Sequence, residues 1–116
     1  MKTFYHVSSA YLGDVFSFTP KVPETISKGF NEDASTKRVC VSPTIGQCLM
    51  GKSGVKTVGS ALEDIMQPEY FVYEIQTRNA IPATTVHDYP ITHEHWLLGE
   101  EEFRMIRTIK RGSKEL

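Results

Sequence analysis

The sequence predicts an α+β fold: a small, mainly antiparallel (split) β-sheet core with one or two short helices. Two observations predict it. Short β-branched and aromatic stretches recur along the chain, and one short stretch carries helical spacing. The resulting order of strand, long loop, strand, short helix and three further strands belongs to an α+β chain. At 116 residues the whole chain, 1–116, reads as a single domain.

Lys2 to Ser9 is aromatic and β-branched and predicts the first strand, with Phe4, His6 and Ser8 on one face and Tyr5 and Val7 on the other. Leu12-Gly13-Asp14 is a turn. Val15 to Ser35 carries Pro20, Pro23, Gly29 and Asn31 and reads as a long connection, with one helical turn after Pro23. Connections of this length are more often functional than idle. Arg38-Val39-Cys40-Val41 is a short strand, and it runs into Ser42-Pro43, an N-cap residue with proline at the first helical position. Ile45, Cys48 and Leu49 fall at i, i+3 and i+4, so one face of that helix turns inward until Gly51 to Gly54 ends it.

Val55 to Met66 is ambiguous, with a helical turn over Ser60 to Met66 as one reading and Pro68 as its stop. Tyr70 to Gln76 is the clearest strand, with Phe71, Tyr73 and Ile75 opposite Val72 and Glu74. Asn79 to Pro90 is loop-rich. His93 to Leu98 and Phe103 to Lys110 read as strands on either side of an acidic turn, Gly99 to Glu102, and the tail from Gly112 to Leu116 as frayed.

Composition narrows the function classes. Hydrophobic residues make up 40% and charged residues 23% of the chain, a globular rather than a disordered balance. Thirteen basic and 14 acidic residues give a net charge of -1, so no global basic field draws the chain to nucleic acid. No apolar run reaches the ~20 residues that span a bilayer. Met1 to Tyr11 alternates like a strand rather than like a secretory signal, and Cys40 and Cys48 read as two buried thiols, so the cytoplasm is the expected location.

Three segments concentrate the chemistry: Tyr5-His6-Val7-Ser8, Val39-Cys40-Val41-Ser42-Pro43, and Thr92-His93-Glu94-His95-Trp96. Each residue has a plain structural reading. His6 suits packing on a half-buried strand, Ser42 an N-cap, Glu94 a solvated position, and Arg38 a solvated charge at a strand edge.

In order and spacing, however, the three segments resemble the ADP-ribosyltransferase-like family, over roughly Thr3 to Lys110. That family has a first strand bearing His or Arg, a strand with a hydroxyl or aromatic residue leading into a helix, and a late strand that brings a carboxylate. The resemblance implies NAD as the bound nucleotide and transfer of ADP-ribose to an acceptor, a protein among the candidates. It implies that His6 hydrogen-bonds the ribose, that the main chain at Val7 pairs with the nicotinamide amide, and that Ser42 supports the carboxylate or ribose. Glu94 would hold the nicotinamide ribose and stabilise an oxocarbenium-like transition state, and Arg38 or Lys21 would bind a phosphate. Two features depart from the family pattern. Val7 stands where small members often have glycine, and no tyrosine pair follows the middle strand to sandwich the nicotinamide.

Rival readings remain beside this one. A module that keeps the fold without the chemistry would bind a nucleotide or a protein as an inhibitor or sequestering factor, and a compact chain suits a phage-encoded factor of that kind. RNA 2'-phosphate transfer uses a related fold, and the near-neutral charge argues against it. His93 and His95 share one face of the expected strand and, with His87 or Asp88, suggest zinc or iron; Glu94 then faces the opposite side, so the two sites exclude each other there. The transferase reading is preferred, with no metal. Gly51-Lys52-Ser53-Gly54 lacks the upstream glycine of a phosphate loop and reads as a turn, and Trp96 reads as core.

Overall fold

The computed structural model describes residues 1–22, 35–53, 68–87 and 89–110. Within them the chain forms β1 (Lys2–Ser8), β2 (Val15–Phe18), β3 (Val39–Val41), α1 (Ile45–Ser53), β4 (Glu69–Thr77), β5 (Ile81–Pro82), α2 (Tyr89–Thr92), β6 (His95–Leu97) and β7 (Glu101–Lys110). One sheet has the order β1-β4-β7-β2 and a second the order β3-β6-β5. Every pairing in both is antiparallel. Among the described residues this is the expected α+β architecture, with two short helices.

The centre of the larger sheet is β4, which is covered on both faces. Alternation sends Tyr70 and Val72 towards α1, where they meet Val7, Leu49 and Ile109. Tyr73 and Ile75 go the other way, against Phe4, Val39, Val41, Leu97 and Phe103. A bulge supports this division. Val72 pairs with Arg107 and Tyr73 with Met105, which leaves Ile106 as the extra residue on β7. Phe103 and Ile109 share strand parity, yet the bulge turns them into opposite clusters.

Two isolated bridges tie the sheets together, Tyr5 with Ser42 and Lys21 with Arg38. Tyr5 N–H donates to the Ser42 carbonyl at 2.9 Å, and Ser42 N–H returns to Tyr5 at 3.1 Å. The edge of β1 therefore runs beside the end of β3, and a cleft opens along that seam.

Several elements differ from expectation. Val15–Phe18 is a strand rather than part of a connection, because alternation turns Phe16 and Phe18 onto the core while β7 supplies the pairing. Ser42 is not the helix N-cap, since its backbone is paired with Tyr5. Thr44 caps α1 instead: its Oγ1 accepts the Gln47 N–H at 3.2 Å and its carbonyl accepts the Cys48 N–H at 3.2 Å. The helix also runs past Gly51 to Ser53. Asn79 to Pro90, read as loop, contains β5 and the start of α2. The late strand starts at His95, because His93 adopts a left-handed backbone with φ 48° after its N–H closes α2 on the Tyr89 carbonyl at 2.8 Å. Cys40 and Cys48 are free thiols, each half-buried. The helical turns read after Pro23 and over Ser60 to Met66, and the frayed tail, lie outside the described residues. No helix among the described residues is long and apolar enough to cross a membrane.

Tyr73 also anchors the way into β2. It is fully buried, its hydroxyl donates to the Gly13 carbonyl at 2.8 Å and it accepts the Leu12 N–H at 2.8 Å. Gly13 sits at φ 101°, in the left-handed region that favours glycine. Tyr73→Phe leaves the shape intact but removes both bonds, so urea denaturation should register a loss of about 1–3 kcal/mol.

Candidate functional site

The cleft along the seam has a volume of about 670 Å³ and is lined from β1, β2, β3, α1, α2 and the approach to β6. Its size is in the range of about 300–1,000 Å³ usual for small-molecule sites. His6, Ser42 and Glu94, from three distant parts of the sequence, all line it, as do Val7, Lys21 and Arg38.

His6 is positioned by its strand and by its partners. It follows Tyr5, whose N–H and C=O are committed to Ser42, and its own side chain turns towards β3. There Nδ1 donates to the Cys40 carbonyl at 2.8 Å. A carbonyl can only accept, so Nδ1 carries the proton in this bond. The imidazole packs on Phe18 with centroids 4.4 Å apart and meets the edge of Phe103 at 6.4 Å. Its plane is thus held from two sides.

Val7 follows from strand alternation. Tyr5 presents its backbone groups to the β3 side, so Val7, two residues on, presents its own to the same edge. Ser42 is buried at the end of β3.

Glu94 is delivered by the turn between α2 and β6. The left-handed His93 redirects the chain, and the Ala83 N–H donates to the Glu94 carbonyl at 2.9 Å. Its side chain accepts a hydrogen bond at Oε2 from the Trp96 indole N–H, 2.7 Å away. Trp96, read from the sequence as core, is half-buried and stands behind the carboxylate.

Arg38 is not a solvated strand-edge charge. It is 3% exposed, its guanidinium lies 4.3 Å over the Trp96 ring, and Nη1 donates to the Thr36 carbonyl at 2.9 Å. Lys21, bridged to Arg38 through the backbone, is the exposed cation of the pair.

The histidine cluster takes a different form from the metal reading. With the strand starting at His95, His93 and His95 no longer alternate along one strand. His93 stacks on Tyr89 at 5.6 Å, whereas His95 packs on Phe4 at 4.7 Å and donates from Nδ1 to the His93 carbonyl at 2.7 Å. Among the described residues no group of three or more His, Cys, Asp or Glu is placed to hold a metal ion; Asp88 lies outside them.

Among the lining residues that escape the sequence reading are Phe16, Phe18 and Gln47. Phe16 and Phe18 form an aromatic wall, with centroids 4.8 Å apart. The signal for them is the Phe-Ser-Phe alternation after Val15. The signal for Gln47 is its spacing from Thr44, a capping-box pattern.

Cys48 also lines the cleft, and its thiol donates to the Tyr5 carbonyl at 3.0 Å. Burial pushes the thiol up from the usual 9.0 to about 12; the Glu94 carboxylate adds to this, while contacts with Ser42 pull the other way. Between those values the unfolded chain ionises and the folded one does not, so stability is complete below about pH 9 and falls as pH rises through 12. One such group contributes a slope of up to ~1.4 kcal/mol per pH unit. Unfolding free energies measured across that alkaline window should fall more steeply for the native chain than for Cys48→Ala.

Comparison with protein-family models, with curated proteins and with solved structures finds no match for this chain.

Proposed function

We propose that the cleft binds NAD and that the protein is an ADP-ribosyltransferase-like enzyme, with Glu94 as its catalytic carboxylate. The observation that carries this reading is the convergence of His6, Ser42 and Glu94 on one cleft. The order of the three segments in the chain agrees with the family resemblance.

The chemistry follows from the charge that develops. The bond between the nicotinamide nitrogen and the ribose breaks, and its electron pair leaves with the ring, which becomes neutral nicotinamide. Positive charge spreads over the sugar, and a preorganised carboxylate in a partly dry cleft favours that charge over the ground state. Glu94 has this role and holds a ribose hydroxyl. An acceptor nucleophile then attacks the anomeric carbon and releases its proton to solvent.

His6, its ring plane fixed by Phe18 and by the bond from Nδ1 to the Cys40 carbonyl, orients the ribose. The Val7 main chain pairs with the nicotinamide amide at the β1 edge. Phe16 and Phe18 supply the aromatic wall that no tyrosine pair provides. Ser42 supports the ribose. Lys21 takes the phosphate contact, since the Arg38 guanidinium is engaged by Trp96 and Thr36.

Incubation with NAD and cell extract tests the proposal: free nicotinamide should accumulate, and labelled ADP-ribose should pass to an acceptor. A second reading, a nucleotide- or protein-binding module without turnover, is favoured by one observation. Val7 is β-branched and buried where small family members have glycine, which makes close approach of a ring harder. Calorimetry separates the two. Saturable NAD or ADP-ribose binding without nicotinamide release supports the module, and neither binding nor release retires both nucleotide readings.

A further inference from the structure

We propose that Trp96 is the positioning residue of the Glu94 carboxylate: its indole N–H holds the group in one orientation. The functional meaning of this inference rests on the reading of Glu94 as the catalytic carboxylate.

Three observations carry it. The indole Nε1 donates to Oε2 of Glu94 at 2.7 Å, a length typical of a charge-assisted bond. The two residues lie two positions apart, and the carbonyl of Glu94 is held at 2.9 Å by Ala83, so backbone and side chain are each fixed. Finally, the Arg38 guanidinium stands 4.3 Å over the indole ring. A cation over that face draws electron density from the ring and makes its N–H a better donor. Trp96 is set in the second sheet, where it pairs with Cys40 on one side and Ile81 on the other. The donor is therefore mounted on a paired strand, whereas the carboxylate sits on a turn. A carboxylate with one oxygen held in this way has a defined plane, which is what a group must have to meet a sugar hydroxyl in a single pose. A carboxylate that loses such a donor titrates at higher pH, so the bond can be read by titration.

The chain contains one tryptophan, so a tryptophan-auxotrophic host can exchange this side chain alone. Benzothienylalanine keeps the shape of the indole and puts sulfur in place of N–H. Titrating the Glu94 carboxyl carbon by NMR, with Glu94→Gln for assignment, should then show a midpoint higher by about one pH unit. The kcat for nicotinamide release should fall roughly tenfold or more with KM unchanged. 4-Fluorotryptophan, which keeps the N–H, should restore both. Trp96→Phe should behave like the sulfur analogue. An unchanged Glu94 titration in the benzothienylalanine protein overturns the proposal. A raised midpoint in a protein that never releases nicotinamide sustains Trp96 as the partner of the carboxylate and retires only the enzyme reading.

Discussion

Glu94→Gln should lower the rate of nicotinamide release from NAD by about a hundredfold or more while NAD binding stays nearly unchanged. The substitution removes charge and little else. An amide oxygen still accepts the Trp96 indole N–H, now 2.7 Å from Oε2, and the backbone bond from Ala83 does not involve the side chain. The fold and the cleft wall therefore survive. What is lost is the fixed negative charge beside a sugar that becomes cationic only as the glycosidic bond breaks, so the cost falls on kcat rather than on binding. Release kinetics and NAD calorimetry on the same preparation check this. A variant that keeps most of its rate would mean that some other group stabilises the charge.

The largest effect on stability is expected at Phe103. Its side chain is fully buried, in edge-on contact with Phe18 at 5.0 Å and near His6 at 6.4 Å, and its strand pairs with both β4 and β2. Phe103→Ala removes a ring from a packed cluster and leaves a cavity, a change that costs about 3–5 kcal/mol. For a domain of this length the thermal midpoint should drop by roughly 15 °C or more. Leu98→Ala, at a half-exposed position, is the control and should stay within about 0.5 kcal/mol. Should Phe103→Ala fail to accumulate, Phe103→Leu gives the same test with a smaller cavity. The prediction links core and site, because Phe18 and His6 lean on this ring and the cleft wall should loosen with it.

Much of this was legible from the residues, for identifiable physical reasons. β1 and β4 declare themselves through period-two alternation of large apolar side chains, and both faces of β4 have partners to bury against. The convergence of His6, Ser42 and Glu94 was expected from the family resemblance that the three segments carry, and all three line the cleft. What stayed hidden depends on partners distant in sequence. Val15–Phe18 is too short to stand out beside two nearby prolines, and it becomes a strand because β7 offers a register. Ser42 looks like an N-cap locally, but a bridge to Tyr5, 37 positions earlier in the chain, claims its backbone, and the cap passes to Thr44. Arg38 looks solvated until Trp96 is brought beneath it. The left-handed backbone of His93 could not be read from composition, since histidine has only a modest preference for that region. That one residue decides where the late strand begins, and with it the direction of Glu94.

The most direct test of the proposed nucleotide site is an NMR titration of the labelled protein with NAD. Saturable shifts should appear at the Val7, Ser42, Gln47 and Thr92 amides together with the His6 ring, while the surface around Glu74, Gln76 and Arg104 on the larger sheet stays unmoved. Shifts confined to that surface, or none at millimolar NAD, would contradict the proposal.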